Sequence, residues 1–304
     1  MAATQASTQD WLHQRDAHAM SRKVVNVIML RLCAAAALLA VSVLCIVLYF
    51  LMVRGVHALT LHFFTRVPDH SSEAAEANGG MAQSVLGTLA LLGLASVIGL
   101  PLGILGGIYQ VEAKGRFASL VRFFTDVLNG IPSIVIGIFV YAVAVLPVAK
   151  AHPGTGFSAY AGGLALGIMM VPTVMRTTEE ILRLVPFAMR EASLGLGATR
   201  WRTMWSVVLP SARGGIITGV MLALARIAGE TAPLLFTIFG NELFSHTLAG
   251  PTDALPLRIY NYASGVSHNQ QELAWAGAVV LISFVLVFSI AARFATRSRM
   301  LDVK

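Results

Sequence analysis

Two ionisable residues, Arg226 and Glu230, lie inside an apolar stretch in the second half of the chain. They are four residues apart, so on a helix both project from one face and can form an ion pair. Counted from Gly214, Arg226 lies twelve residues in, which is roughly 18 Å at about 1.5 Å per helical residue. An arginine at that depth of a bilayer is costly, so it should face the interior of a helix bundle or a wet cavity.

This pair is either a neutral internal ion pair or the polar lining of a transport route. The order Arg then Glu is the weaker one for helix stability, and an apolar pair would usually cost less in lipid. We therefore favour the transport route.

A glycine and a proline follow Arg226 in the same stretch. Gly229 leaves the helix thin beside the pair, and Pro233 frees a backbone carbonyl one turn back, at Gly229. A bend or a hydrated notch is expected here, because irregular backbone at membrane depth is tolerated where it lines a cavity. Thr231 lies between the two and is a further candidate for the lining of the route.

Two more sets of polar residues lie in other apolar stretches. Arg176 can pair along a helix with Glu179 or Glu180, or extend into the route. An ordinary arginine whose charged head reaches the membrane surface explains Arg176 equally well. Ser133 follows Gly130-Ile131-Pro132, so it either supplies a hydroxyl to a lumen or marks a break in a helix.

A polar insert, residues 186–210, connects two apolar stretches and is long for a connection in a helix bundle. It reads as a short amphipathic helix over 186–196, which Gly197 ends by adopting a positive φ. A second helix is expected from about Thr199, and Pro210 should close the motif.

The alternative for this insert is a surface loop held in the lipid headgroups by Trp201 and Trp205. Such a loop would not require particular residues at fixed separations. The insert carries such a set: Glu191, Ala192, Gly197, Leu209 and Pro210.

Composition places the chain in a membrane. Hydrophobic residues make up 56% of the 304 positions and charged residues 12%, whereas about 25% charged residues is usual in soluble domains. A bilayer core of ~30 Å requires about 20 helical residues. Six stretches are long and apolar enough: about 25–53, 82–110, 118–147, 160–184, 214–239 and 273–295. The segment 240–272 is too polar to span and is expected at the outer interface.

The net charge of +7 would indicate nucleic acid in a soluble protein, so the placement of the cations has to decide. With a cytoplasmic N-terminus, most cations outside the spans or near their ends, Arg122 among them, fall on the inner side, and four fall on the outer side: Arg54, Arg66, Lys150 and Arg258. This is the positive-inside pattern. Both termini and the insert are therefore predicted in the cytoplasm, and no clustered basic face remains for a nucleic acid.

One integral domain is the simplest organisation. Its predicted segments are a cytoplasmic N-terminal segment (1–24), a first transmembrane helix with an outer loop (25–80), a five-helix core (81–297) that contains the insert 186–210, and a cytoplasmic tail (298–304). The chain has no Gly-x-x-x-x-Gly-Lys-Ser/Thr loop for a nucleotide phosphate, so another chain must bind the nucleotide if this protein works against a gradient. No pair of histidines has metal-ligand context, and we assign no metal, no cofactor and no catalytic group.

The insert resembles the EAA loop of ABC-importer permeases. In that loop, Glu-Ala-Ala, a glycine and an apolar-x-Leu-Pro ending form the docking element for a cytoplasmic ATPase. Ser193 replaces the second alanine here and Val207 the usual isoleucine. Three further runs resemble the permease subunits of phosphate-specific ABC importers: 225–237, 130–135 and 176–179. Together with the insert, the resemblance covers roughly residues 80–295.

The resemblance implies an all-α integral membrane protein with six transmembrane helices and the type I ABC-importer (MetI-like) permease fold, located in a bacterial inner membrane. Such a chain would form half of a heterodimeric pore with a homologous second permease subunit. A dimeric ATPase, which binds ATP and Mg²⁺, would engage both permeases from the cytoplasm. A periplasmic or lipid-anchored binding protein would deliver inorganic phosphate.

In such a pore, Arg226 would supply one positive charge with a fork geometry suited to phosphate oxygens. We expect the partner permease's equivalent arginine to complete the site and Glu230 to hold Arg226 when no anion is present. Two alternatives stay open: a permease for another oxyanion, such as sulfate or molybdate, and a membrane scaffold of a phosphate-sensing complex. A channel without a motor is disfavoured by the insert.

Overall fold

The computed structural model describes residues 2–69, 79–152, 154–245 and 247–297. Residues 70–78 of the predicted outer loop and the predicted tail (298–304) lie outside this part of the chain. The chain divides into two compact units, Met1–Val53 and Arg54–Lys304. The described residues are almost entirely helical, and a single bridge between Phe239 and Thr252 is the one β-type pairing among them.

The first unit is formed by one long helix, α1 (Ala2–Gly55). From Arg22 onward this helix is apolar, and nearly all of the side chains described in that part are exposed. An apolar helix that exposes its side chains in water would be unstable, whereas lipid is a suitable solvent for it.

The second unit contains the remaining helices. The first of them are α2 (Leu61–Thr65), α3 (Ala82–Glu112), α4 (Arg116–Gly130), α5 (Ser133–Val140) and α6 (Leu146–Ala151). A π-helical turn, Tyr141–Val145, joins α5 to α6. The later helices are α7 (Ala159–Arg183), α8 (Phe187–Gly195), α9 (Arg200–Thr203), α10 (Leu209–Ala228), α11 (Leu234–Thr237), α12 (Leu255–Ala263) and α13 (His268–Arg297).

Within the described residues, six helical segments are long and apolar enough to cross a membrane. They are Arg22–Gly55, Ala82–Glu112, Ser133–Ala151, Ala159–Arg183, Arg200–Ala228 and His268–Ile290. The predicted all-α class with six membrane spans is confirmed. The segment that follows α11 is too polar to span, as expected, and it carries the short helix α12.

The core of the bundle is the pair α3 and α7. Three glycines of α3 lie directly against α7, and a Cβ atom added at Gly99, Gly103 or Gly107 would come within 2.6–2.7 Å of a Cβ atom of α7. The residues that they meet are Met170, Val174 and Thr178 in that order, so the two helices run in the same direction. Small residues at this spacing allow close approach of helix backbones in lipid, where van der Waals packing replaces the hydrophobic effect.

Helix α10 packs on the same pair in the opposite direction. Gly215 lies against Ile181, and Gly219 lies against Thr177. Since one residue number rises as the other falls, Arg226 is level with about residue 170 of α7, near the middle of that helix. The depth predicted for Arg226 from the sequence therefore agrees with the packing.

Two of the predicted spans have different boundaries in the structure. The stretch 118–147 is not one helix, because the chain breaks at Ile131 and Pro132 between α4 and α5. Pro132 has no N–H to donate and disfavours a helical conformation at the residue before it, which explains the break. The stretch 214–239 is also interrupted: its helix ends at Ala228, and the one-turn helix α11 follows.

The same helix begins earlier than predicted. Helix α9, a π-helical turn (Met204–Val208) and α10 are continuous from Arg200 to Ala228. Pro210 therefore does not close the insert but lies within a continuing helix, two residues after the π-helical segment. Pro210 is tolerated in the first turn of α10 because the preceding π-turn has an i→i+5 hydrogen-bond pattern rather than the i→i+4 pattern of an α-helix.

A buried ion pair ties the segment before α12 to the start of α3. The Nε atom of Arg258 donates to Oδ2 of Asp253 over 2.8 Å, and the hydroxyl of Ser84 donates to the same oxygen. Arg258 is 2% exposed, although the charge pattern had placed it among the outer surface cations. Burial raises the pKa of the Asp253 carboxyl, while the Arg258 guanidinium opposes that shift.

Removing one partner of this pair should destabilise the bundle. In Arg258→Met, Asp253 would stay buried without its cation, and breaking a buried pair in this way costs about 3–5 kcal/mol. Thermal unfolding of the detergent-solubilised protein should show a lowered midpoint for Arg258→Met. The double variant Arg258→Met/Asp253→Asn should recover most of the loss because the amide carries no charge. A wild-type midpoint for the single variant would contradict this expectation.

Candidate functional site

The break after α10 surrounds the deepest charged residues of the bundle. The backbone N–H of Gly229 donates to the carbonyl of Arg226 over 3.3 Å, and that of Glu230 donates to the carbonyl of Ile227 over 3.2 Å. These bonds tighten the last turn and end the helix. Residues 229–233 are therefore non-helical between α10 and α11, at the point where Gly229 and Pro233 were expected to bend the chain.

Arg226 and Glu230 remain near one another but are not tightly bound. Nε of Arg226 lies 4.0 Å from Oε1 of Glu230, at the limit of an ion pair. The Arg226 side chain is 56% exposed and that of Glu230 is 21% exposed. In the described part of the chain, no other carboxylate lies within ion-pair distance of Arg226. The guanidinium thus leaves most of its donors available at the surface of this single chain.

A second break lies beside the first. Gly137 of α5 packs against Pro233, and a Cβ atom added at Gly137 would come within 2.6 Å of the Pro233 Cα. Ser133 is the first residue of α5 and lies one helical turn before Gly137. The structure therefore brings α5 against Pro233, and Ser133 lies one helical turn from that contact. In secondary transporters, discontinuous helices of this kind form the substrate site.

Arg176 belongs to a different group of charges. It lies 3.1 Å from Glu180, 3.6 Å from Asp126 and 3.7 Å from Glu179. Thr177, the neighbour of Arg176, faces Gly219, so Arg176 is level with about residue 220 of α10. Arg226 therefore lies about six residues, or roughly 9 Å, further along α10 than Arg176. The structure does not bring the two arginines together, and the predicted pairing along α7 is present.

Glu179 is the centre of this group, a role that the sequence did not indicate. Its side chain is 3% exposed, and its Oε1 accepts from Arg122 of α4 over 2.9 Å and from Arg183 over 2.8 Å. Arg122 was placed only among the inner cations by the charge pattern. The contact between α4 and α7 could not be read from local spacing because the two residues are 57 positions apart.

The insert folds as a helix, a sharp turn and a second helix. Helix α8 carries Glu191 and Ala192 on its exposed surface. Gly197 has φ of 85°, the positive value that the sequence predicts, and open space surrounds its Cα. Thr199 begins the second helix by accepting from the backbone N–H of Arg202 over 3.3 Å. Leu209 is half-buried at the start of α10, and Pro210 is exposed.

Residues 99–299 match the family described as the binding-protein-dependent transport system inner membrane component. The chain belongs to this family. Its members are transport subunits rather than enzymes, and they are multi-pass proteins of the inner membrane, so the chain is such a permease.

Within this family the chain groups with the phosphate transport permeases. It is 40% identical over 279 residues to the phosphate transport system permease protein PstA of Pasteurella multocida (strain Pm70), covering 91% of this chain and 96% of that protein. It is 42% identical over 274 residues to the PstA protein of Xylella fastidiosa (strain Temecula1 / ATCC 700964), covering 90% and 92%.

Solved ABC-transporter permeases share the fold. An inward-facing structure of the MetNI methionine ABC transporter matches with a TM-score of 0.55 and 21% identity, over 75% of this chain and 98% of that chain. The bacterial alginate ABC transporter in complex with an alginate pentasaccharide-bound periplasmic protein matches with a TM-score of 0.56 and 17% identity, over 86% and 94%. The predicted permease fold is confirmed by these likenesses.

Because Arg226 is exposed, a labelling experiment can test whether its side chain faces a wet lumen or lipid. In a background in which the exposed Cys33 and Cys45 are replaced by Ser, Arg226→Cys in the assembled transporter should react with a charged, membrane-impermeant thiol reagent. Ile227→Cys is the matched control because Ile227 is 2% exposed and should stay unreactive. An unreactive Arg226→Cys would place this side chain in lipid or in a dry interface.

Proposed function

We propose that this chain, a permease subunit of a phosphate ABC transporter, moves inorganic phosphate from the outer side to the cytoplasm as one half of a heterodimeric pore. The observation that carries the proposal is Arg226. It lies level with the middle of α7, is 56% exposed on this chain and has only a 4.0 Å ion pair with Glu230. A charge this deep is stable only if another subunit, water or an anion completes its surroundings.

The chemistry of Arg226 suits phosphate. A guanidinium presents N–H groups in a planar fork that matches the spacing of phosphate oxygens. One guanidinium beside Glu230 does not neutralise a dianion, so the equivalent arginine of the second permease would complete the site across the pseudo-twofold axis. Glu230 would hold Arg226 between transport events. Weak binding suits the route because a tight site would trap the ion.

The remaining candidates line the same route in this proposal. Ser133 and Thr231 lie beside the two helix breaks, where a hydroxyl can replace part of the hydration shell of the ion, and Gly229 and Pro233 act as the hinge between α10 and α11. Arg176 would lie nearer the inner end, about 9 Å from the level of Arg226. Its carboxylate partners would keep it from binding the anion tightly.

The orientation follows from the charges. The excess of Lys and Arg around α8 and both termini supports a cytoplasmic location for them by the positive-inside rule. There, a dimeric ATPase with ATP and Mg²⁺ would engage the insert at Glu191, Ala192, Gly197, Leu209 and Pro210. A phosphate-binding protein would dock on the opposite side, as the periplasmic protein named with the alginate transporter suggests for this fold.

Replacing Arg226 tests the route. Arg226→Gln should lower ATP-dependent phosphate uptake by roughly 10- to 100-fold, because a hydrogen bond to a charged group contributes about 1.5–3 kcal/mol. Uptake is measured with the complete importer in vesicles, and sulfate is added as a competitor. Arg213→Gln, at an exposed arginine of the same helix, is the matched control and should retain uptake. Normal uptake by Arg226→Gln would refute the route, and strong inhibition by sulfate would favour another oxyanion.

Replacing Gly197 tests the docking element. Gly197→Val should insert into the membrane normally but lose ATPase association, since a β-branched residue is a strong outlier at positive φ. Gly195→Val is the control because Gly195 also has open space around it and has no positive φ. Glu191→Lys should have the same effect as Gly197→Val. Co-purification of the ATPase at wild-type levels with both Gly197→Val and Glu191→Lys would show that the insert is not the docking element.

A further inference from the structure

Helix α8 has little packing of its own. All of its residues are described and none is buried. Its polar contact through Ser193, whose hydroxyl lies 2.9 Å from that of Thr203, reaches only α9 within the same insert. A direct contact between α8 and the core helices would therefore add a second route, besides α9, for a displacement of α8 to reach the bundle.

Arg190 makes that contact. Its Nη1 atom lies 2.8 Å from Oε1 of Glu112, and its Nη2 atom donates to the carbonyl of Leu182 over 3.0 Å. The Arg190 side chain is 17% exposed, so it is directed from α8 into the bundle. Among the ion pairs of the described residues, this one joins the insert to the membrane helices.

Both acceptors lie at the ends of the two core helices. Glu112 is the last residue of α3, and Leu182 lies in the last turn of α7. The carbonyl of Leu182 is one of the last four of its helix, which have no intrahelical partner, and a cation at this end is favoured by the helix dipole. One guanidinium therefore holds the C-terminal ends of both helices.

The two helices that Arg190 contacts, α3 and α7, are packed closely against each other. The glycines of α3 lie against α7 so closely that a Cβ atom at Gly103 or Gly107 would come within 2.6 Å of its neighbour. Helix α10, which carries Arg226, packs on this pair through Gly215 and Gly219. A movement of α8 that pulls on Arg190 would thus reach the helices that position Arg226.

We propose that Arg190 is the positioning residue that couples the docking helix α8 to the α3–α7 pair, so that closure of the ATPase is converted into movement around Arg226. This inference rests on the proposed function. The second half of the insert is attached independently, because Met204 and Val208 are buried in the apolar cluster that contains Leu182. Loss of Arg190 should therefore leave the insert folded and the ATPase bound.

The test uses the complete importer in phosphate-loaded and phosphate-free vesicles, with uptake and ATP hydrolysis measured in the same sample. Arg190→Gln should lower the number of phosphate ions carried per ATP by about fivefold or more, the usual scale of coupling between sites. Glu112→Gln should lower it less, because Arg190 would keep the Leu182 carbonyl. Arg190→Lys should lie in between, since a single ammonium lacks the fork that reaches both acceptors.

Arg183→Gln is the matched control. Arg183 lies at the same end of α7, but its ion pair with Glu179 stays within that helix. Its ratio of phosphate to ATP should remain at the wild-type value. A general loss of stability would lower uptake and hydrolysis together and leave their ratio unchanged, so the ratio separates coupling from folding.

Each outcome is decisive. A lowered ratio for Arg190→Gln with the ATPase still bound supports the inference. A wild-type ratio for Arg190→Gln overturns it while leaving the proposed function intact. Loss of the ATPase from Arg190→Gln also overturns it, because Arg190 would then act in docking. Absence of ATP-dependent phosphate uptake by the wild-type complex would instead refute the proposed function, and this inference with it.

Discussion

The close approach of α3 and α7 is the packing interaction on which the rest of the structure depends. Helices in lipid gain no hydrophobic stabilisation from pairing, so contact between small residues has to supply the attraction. Gly99, Gly103 and Gly107 bring the two backbones together over eight residues, or roughly 12 Å along the helices. Once this pair is formed, the level of α10 follows from Gly215 and Gly219, and the depth of Arg226 follows from the level of α10.

The charged residues of the bundle fall into two groups that differ in how they are neutralised. Asp253 and Glu179 are buried, and arginines donate directly to each of them. Arg226 is different, since its only carboxylate partner in the described chain is 4.0 Å away and more than half of its side chain is exposed. The first group stabilises contacts between helices. The second is the arrangement that half of a pore requires, because its surroundings are to be completed by something outside this chain.

Long apolar stretches were sufficient to predict most spans. The stretch 160–184 corresponds to Ala159–Arg183 within one residue at each end, because the requirement to cross a bilayer sets the length of a helix. The stretches containing Pro132 and Gly229 were predicted less well. Local sequence marks a proline or glycine as a weak point but does not say whether the helix bends or ends there, since neighbouring helices can satisfy the freed backbone groups. In both stretches the chain breaks, and Gly137 against Pro233 brings the two breaks together.

The amino-acid sequence by itself determined that this protein is a six-helix membrane permease with a charged pair at depth and a helix-turn-helix insert. These properties depend on composition, on spacing along one helix and on the conformational freedom of single residues such as Gly197. Only the tertiary structure decided which side chains of different helices are partners. Ser84 and Asp253 are 169 positions apart, and Arg190 and Glu112 are 78 apart, so no local pattern relates them. The packing of α12 on α3 brings Asp253 to Ser84, and the packing of α7 along α3 brings Arg190, on the helix that follows α7, to Glu112.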